Sequence, residues 1–279
     1  MPDTAFSQDQ AAAQSVIEAA FNYIEPIASG EKPYRRMDPP GPGQLETNAI
    51  YTPIPMPVHD LRQTDGQQTL DKEGFALVNA PSVIQNFEDE GAIRTAYYAQ
   101  SEAIVAQATG AARVITFDHT IRRAIPGADR TPVARVHNDY TEKSGPQRVR
   151  DLMGAEAEDL LKGRFVIVNL WRPIGHMVED APLAIASATS VPPKDFIEQD
   201  LIYADRVGET SLVQHSDEHH WVYLSKQTPD EAILIKCFDS AKDGRARFTA
   251  HSAFFDPNAP ENARPRESIE IRTLVFFDD

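Results

Sequence analysis

Cysteine is almost absent: the only one in 279 residues is Cys237, so no intrachain disulfide can form. It lies in the apolar run 232–238, where a buried structural thiol fits better than a nucleophile, and a reducing compartment fits both. Long hydrophobic runs are also missing, since nothing approaches the roughly 18 apolar residues of a membrane span. Basic residues are scarce, 27 against 42 acidic, and the formal charge of −15 argues against partners such as nucleic acid or an anionic membrane. Met1 to Phe6 has neither a basic n-region nor an apolar stretch, so the expected location is cytoplasmic. A small molecule is the expected partner, a homodimer is left open, and an anionic substrate would need local basic residues such as Arg135 or Arg172.

What is present is patterned along the chain. Residues 8–24 have a near-3.6 apolar period and are expected to be helical. From 25 to 67 proline and glycine dominate, notably 38–43 and 53–57, which predicts a surface wrap or lid. A strand at 74–78 and a helix from 84 to about 110 follow. Strand signals then prevail at 114–121, 132–137, 164–171, 201–204, 220–224, 232–238, 248–255 and 268–277, with one helix at about 146–161. This predicts a mainly β fold with flanking helices, a helix-buttressed sandwich or open barrel rather than a doubly wound sheet. The expected organisation is one domain over 1–279, with 1–67 as arm and wrap or lid and 68–279 as core.

The chemistry centres on His137-Asn138-Asp139. An i, i+2 pair at a strand end aims an imidazole and a carboxylate at one ion, and His251 is the candidate third ligand, giving a facial triad suited to Fe(II). A rival His-x-Asp occurs at His215-Ser216-Asp217 with His219-His220 behind it, and reads as a solvated loop. Arg266, Ser268, Glu270 and Arg272 share one strand face. The guanidinium fork of Arg266, with the Ser268 hydroxyl beside it, suits the distal carboxylate of 2-oxoglutarate; Arg272 is the substitute, and a strand of surface charges is the bland alternative. Asn169 and Trp171 point one way and are candidates to line the pocket. Tyr140 and Tyr223 carry hydroxyls beside the proposed centre, and Phe254 reads as packing. A cupin-like isomerase or dioxygenase that uses no 2-oxoglutarate, and a non-catalytic partner subunit, remain as rivals.

Six strings, 136–141, 168–174, 220–223, 236–240, 251–254 and 266–272, together resemble the AsaB-like hydroxylase/desaturase family, which is similar to gibberellin desaturases and the cephamycin methoxylation component. The order His-x-Asp, distant His, Arg-x-Ser over about 110–279 resembles Fe(II)/2-oxoglutarate-dependent dioxygenases. That resemblance implies a double-stranded β-helix core, jelly-roll and cupin-like. It implies Fe(II) on His137, Asp139 and His251, with 2-oxoglutarate and O2 as cosubstrates. The implied activity is hydroxylation or desaturation of an unactivated C–H bond in specialised metabolism.

Overall fold

A computed structural model describes residues 16–64 and 67–278. Two sheets face each other. The larger has the order β1 (Val16–Ile24), β3 (Tyr51–Asp60), β11 (Trp221–Tyr223), β8 (Leu183–Ala186), β13 (His251–Ala253), β6 (His137–Asn138), β10 (Val207–Val213), β9 (Phe196–Ile202) and β2 (Tyr34–Arg36). The smaller has the order β4 (Phe75–Asn79), β12 (Glu231–Asp239), β7 (Phe165–Pro173), β14 (Glu267–Phe276) and β5 (Arg113–Arg123). Between them lies a core drawn from both, including Phe75, Ile167, Ile185, Val222, Ile235, Cys237 and Leu274. This is the curled, mainly β jelly-roll expected from the sequence.

β7 is buried along its whole length because both of its faces are covered. Ile167 faces the other sheet, whereas Val166, Val168 and Leu170 pack beneath a continuous helix over 90–109 through Ile93, Tyr97 and Val105. Asp89 caps that helix by accepting from Ala92 N, and Gly110 ends it in the left-handed region. The helix therefore starts later than 84. The second expected helix forms as Ser144–Met153 and Ala157–Leu160. No helix among the described residues is long and apolar enough to cross a membrane.

Two expectations for the N-terminal quarter are corrected. Residues 16–24 form a strand, not a helix, because Ile17, Ala19, Phe21 and Tyr23 bury at period 2; residues 8–15 lie outside the described residues. The proline run is also a strand, β3, paired antiparallel with β1. Pro53, Pro55 and Pro57 share one parity and are exposed, so their missing N–H groups all face away from β1. On that side β11 joins only from Val58 onward, and no ladder bond is lost.

Candidate metal centre and cosubstrate pocket

β6 is two residues long, yet it sets the centre. His137 pairs with His251 on β13 and with Leu212 on β10. Direct cross-strand partners share a face, so the two imidazoles stand together with ring centroids 4.4 Å apart. Asp139, two residues on, returns to that face. One ligand atom from each of His137, Asp139 and His251 falls within 4.8 Å of the others, the one such cluster among the described residues. His137 Nδ1 lies 2.9 Å from the Arg135 carbonyl and His251 Nδ1 lies 3.0 Å from the Thr249 carbonyl. A carbonyl can only accept, so both Nδ1 atoms donate and both Nε2 lone pairs are free for a metal.

The residue between the ligands is a staple. Asn138 is fully buried and donates to the Tyr140 and Cys237 carbonyls at 2.7 and 2.9 Å, while its Oδ1 accepts from Thr249 N. Thr249 in turn donates to the Gly74 and Lys236 carbonyls. A Cβ at Gly74 would sit 2.2 Å from Thr249 Oγ1, and the φ there is +83°, so only glycine fits behind the His251 strand.

The opposite wall comes from the smaller sheet. Asn169 Nδ2 donates to Asp139 Oδ2 at 2.8 Å and to Glu270 Oε1 at 2.9 Å. Arg272 donates to Asp139 Oδ2, Thr120 Oγ1, Asp118 Oδ2 and Glu270 Oε2. Burial opposes the Asp139 charge, but the Arg272 guanidinium, helped by the Asn169 hydrogen bond, outweighs it and holds the carboxyl far below the usual range. Burial, and then His251, pushes the His137 pKa well down, so its ring is neutral and ready to ligate. One Asp139 oxygen is thus tied up and the other is left for the ion.

Arg266 is 2% exposed and donates only from one terminal nitrogen, to the Ala181 carbonyl at 2.7 Å; its Nε has no acceptor. Its guanidinium carbon lies 5.4 Å from the centre of the Trp171 ring. Burial, then Arg122, lowers its pKa. A guanidinium stays charged in proteins, so this describes a positive charge still lacking an anion. Arg266, Arg122, Trp171, Glu270, His137 and His251 line one small cavity of about 30 Å³. Larger hollows lie elsewhere, one of about 430 Å³ along His119–Arg130, and hold no cluster of metal-ligating side chains.

The structure thus brings His137, Asp139, His251, Arg266, Asn169 and Trp171 together, with Ser268 on the same face of β14 and across from Arg122. Arg272 and Asn169 turn to Asp139 rather than to open space. Tyr140 follows Asp139 into the inter-sheet core, where burial raises its phenol pKa. Tyr223 is elsewhere: it pairs with Ala184 on the face opposite Val222 and Ile185, and packs edge-on against Phe254. Arg172 also faces away, donating to the Ala80 and Pro229 carbonyls beneath the 90–109 helix. The rival histidines do not converge. His219 spends both nitrogens on Tyr23 and Asp195, and His220 packs tilted against His59.

Sequence periodicity gives no sign of Arg122. Counting by two from Ile115 places Phe117, His119 and Ile121 inward, but β14 skips Phe117 in its pairing with β5. That bulge reverses the parity and turns Asp118, Thr120 and Arg122 toward the centre.

The donor set, two imidazoles with free Nε2 atoms and one ionised carboxylate, fits Fe(II), and the unpaired buried Arg266 fits a carboxylate cosubstrate. A family model described as an oxidoreductase/YMDC permease-like domain matches residues 21–276. Hydroxylase/desaturase efuI of Hormonema carpetanum is 33% identical over 96% of this chain and 98% of its own length. Hydroxylase/desaturase asaB of Aspergillus flavus is 42% identical over 47% of this chain and 64% of its own. The solved structure of the iron and alpha-ketoglutarate-dependent endoperoxidase NvfI superposes with a TM-score of 0.87 at 30% identity, covering 95% of this chain and all of that one. With efuI and NvfI matched along nearly their full length, the chain belongs to the AsaB-like hydroxylase/desaturase family of Fe(II)/2-oxoglutarate-dependent dioxygenases.

Proposed function

We propose that His137, Asp139 and His251 hold Fe(II), that Arg266 with Ser268 holds the distal carboxylate of 2-oxoglutarate, and that the enzyme hydroxylates or desaturates a small molecule of fungal specialised metabolism. The observation that carries this is Arg266: a buried guanidinium with no carboxylate partner among the described residues, in the same cavity as both candidate histidines. Bound together, Fe(II) and 2-oxoglutarate activate O2 and, with loss of CO2 from the cosubstrate, supply the oxidant for a C–H bond.

The chain's own residues do the positioning. The Nδ1–H bonds to Arg135 and Thr249 fix each imidazole tautomer and ring plane. Asn169 and Arg272 keep Asp139 ionised and limit it to one ligating oxygen. Trp171, Leu183, Val133 and Ala253 wall the cavity and exclude water from the reacting centre. Glu270 shares the cavity but is tied to Asn169 and Arg272, so it does not compete for Arg266.

Anaerobic titration with Fe(II) and then 2-oxoglutarate tests the assignment through the weak metal-to-ligand charge-transfer band. The band is expected in the wild type, absent in Asp139→Ala, and formed only at far higher cosubstrate in Arg266→Ala. An undiminished band in Asp139→Ala would remove that residue from the ligand set. Products carrying one added oxygen, or lacking two hydrogens, then separate hydroxylation from desaturation.

A further inference from the structure

The Arg135 side chain has no use in the scheme above. It stands two residues before His137 on the same extended run, and its carbonyl anchors the His137 ring. Among the described residues its guanidinium makes no hydrogen bond and no ion pair, and its Nε is buried without an acceptor. The charged and titratable groups around it are Tyr51, Arg35, Arg122 and Asp139. Arg35 is already paired with Glu46, and Asp139 belongs to Asn169, Arg272 and the metal face. Arg122 adds a second positive charge whose one hydrogen bond goes to the Thr131 carbonyl.

Charge makes this arrangement hard to explain by folding alone. The chain carries 42 acidic side chains against 27 basic ones, yet among the described residues none forms an ion pair with Arg135 or Arg122, and the nearby Asp139 and Glu270 are held by Asn169 and Arg272. On this half-buried side chain the buried Nε of Arg135 is left without an acceptor, which is destabilising, so a partner from outside the chain is implied. The cosubstrate does not fill that need. Its distal carboxylate goes to Arg266 and its other end to the metal, so Arg135 and Arg122 stay positive in the loaded site.

The surroundings of Arg135 define what that partner looks like. Tyr51 packs with Ile24, Leu212 and Ile197, an apolar cluster on the His137 side of the larger sheet, because Leu212 pairs directly with His137 and Ile197 with Leu212. The Tyr51 hydroxyl is buried and unpartnered. An apolar wall thus ends in one hydroxyl donor and one guanidinium fork, and a fork binds a carboxylate through two parallel hydrogen bonds.

We propose that the molecule oxidised is an apolar substrate carrying a carboxylate, and that Arg135, assisted by the Tyr51 hydroxyl, holds that carboxylate beside the metal centre. The proposal rests on the oxygenase reading above and adds the substrate class. It also assigns the 25–67 segment a part in the site, since Tyr51 opens β3.

Calorimetric titration of the anaerobic enzyme, loaded with Fe(II) and saturating 2-oxoglutarate, tests it with three probes, decanoate, cyclohexaneacetate and 4-phenylbutyrate, each against its methyl ester. At least one acid is expected to bind the wild type about tenfold or more tightly than its ester. That preference should shrink to within about twofold in Arg135→Gln, survive in part in Arg135→Lys, and weaken severalfold in Tyr51→Phe. The affinity for 2-oxoglutarate, titrated separately, should be the same in Arg135→Gln as in the wild type. If no acid outbinds its ester in the wild type, or the preference persists in Arg135→Gln, the proposal is wrong. A matching loss of 2-oxoglutarate affinity in Arg135→Gln would also overturn it, by moving Arg135 to the cosubstrate site. Absence of 2-oxoglutarate binding in the wild type would instead sink the underlying reading.

Discussion

The amide of Asn169 is the most economical place to test how the centre is held. Its nitrogen bridges Asp139 and Glu270, two carboxylates that otherwise repel across the pocket. Asn169→Ala is expected to weaken Fe(II) binding about 10- to 100-fold with little change in fold, the usual effect of removing a group that orients a metal ligand. A metal titration followed by circular dichroism checks both halves. Arg266→Ala is expected to cost about 2–5 kcal/mol of 2-oxoglutarate binding, measured by calorimetry, and Arg266→Lys to recover only part because an ammonium lacks the fork. At this scale the sequence was largely legible. His-x-Asp, the distant His251 and the Arg266-x-Ser268-x-Glu270-x-Arg272 alternation each announce a face through residue type and spacing. Tyr223 misled because a hydroxyl near a motif in sequence says nothing about parity. Its neighbour Val222 takes the inner face and leaves Tyr223 outside. Asn138 was illegible for a different reason, since a buried amide stapling three backbone groups looks in sequence like any polar residue between two ligands.

Elements were legible where one period ran without interruption, as in β7 and β14, and were lost where two physical rules competed. β1 fits both a helical and an alternating pattern, and pairing with β3 decides the matter. β3 looks unfit for a sheet until its prolines are seen to share a parity. Phe21 stacks on Trp221 with centroids 4.1 Å apart and is fully buried, so β1 is part of the core rather than a docked arm. Phe21→Ala is expected to lower unfolding free energy by about 3–5 kcal/mol in urea; a loss below about 1 kcal/mol would mean that β1 is peripheral. The bulge in β5 offers a sharper test. Phe117→Ala keeps the extra residue, so 2-oxoglutarate affinity should stay within about twofold. Deleting Phe117 makes Thr116 and Asp118 consecutive, and simple alternation then keeps Asp118, Thr120 and Arg122 on the inner face opposite Arg272, Glu270 and Ser268. The deletion variant is therefore expected to fold and to bind 2-oxoglutarate within about twofold of the wild type, losing only the packing of the Phe117 ring against the inter-sheet core. A deletion variant that folds but loses 2-oxoglutarate affinity would show that the kink of the bulge, and not the parity alone, shapes the pocket.

For the whole molecule, the two sheets meet at a place where like charges are crowded before any ligand binds. Among the described residues Arg266, Arg122 and Arg135 form no ion pair, the first two lining the cavity and Arg135 lying near Asp139, while Asp139 and Glu270 face each other across Asn169. A cation between the imidazoles and Asp139, and a dianion against Arg266, each neutralise part of that crowding, and neither site survives unfolding because its residues come from distant segments of the chain. Ligands that bind only the folded state stabilise it by RT ln(1 + [L]/Kd), about 2.7 kcal/mol at a hundredfold excess over Kd. For a domain of this size each kcal/mol raises the melting temperature by about 2–4 °C, so each ligand should add roughly 5–10 °C. The two increments separate by variant. Asp139→Ala should lose the Fe(II) increment and, with it, most of the 2-oxoglutarate increment, because the cosubstrate's chelating end has nothing to bind. Arg266→Ala should keep the Fe(II) increment and lose only that of 2-oxoglutarate. Anaerobic melting curves with and without each ligand, reversed by a chelator, measure this directly. A 2-oxoglutarate shift that persists without metal and in Arg266→Ala would place the cosubstrate elsewhere on the molecule, with the unpaired arginines serving some other anion.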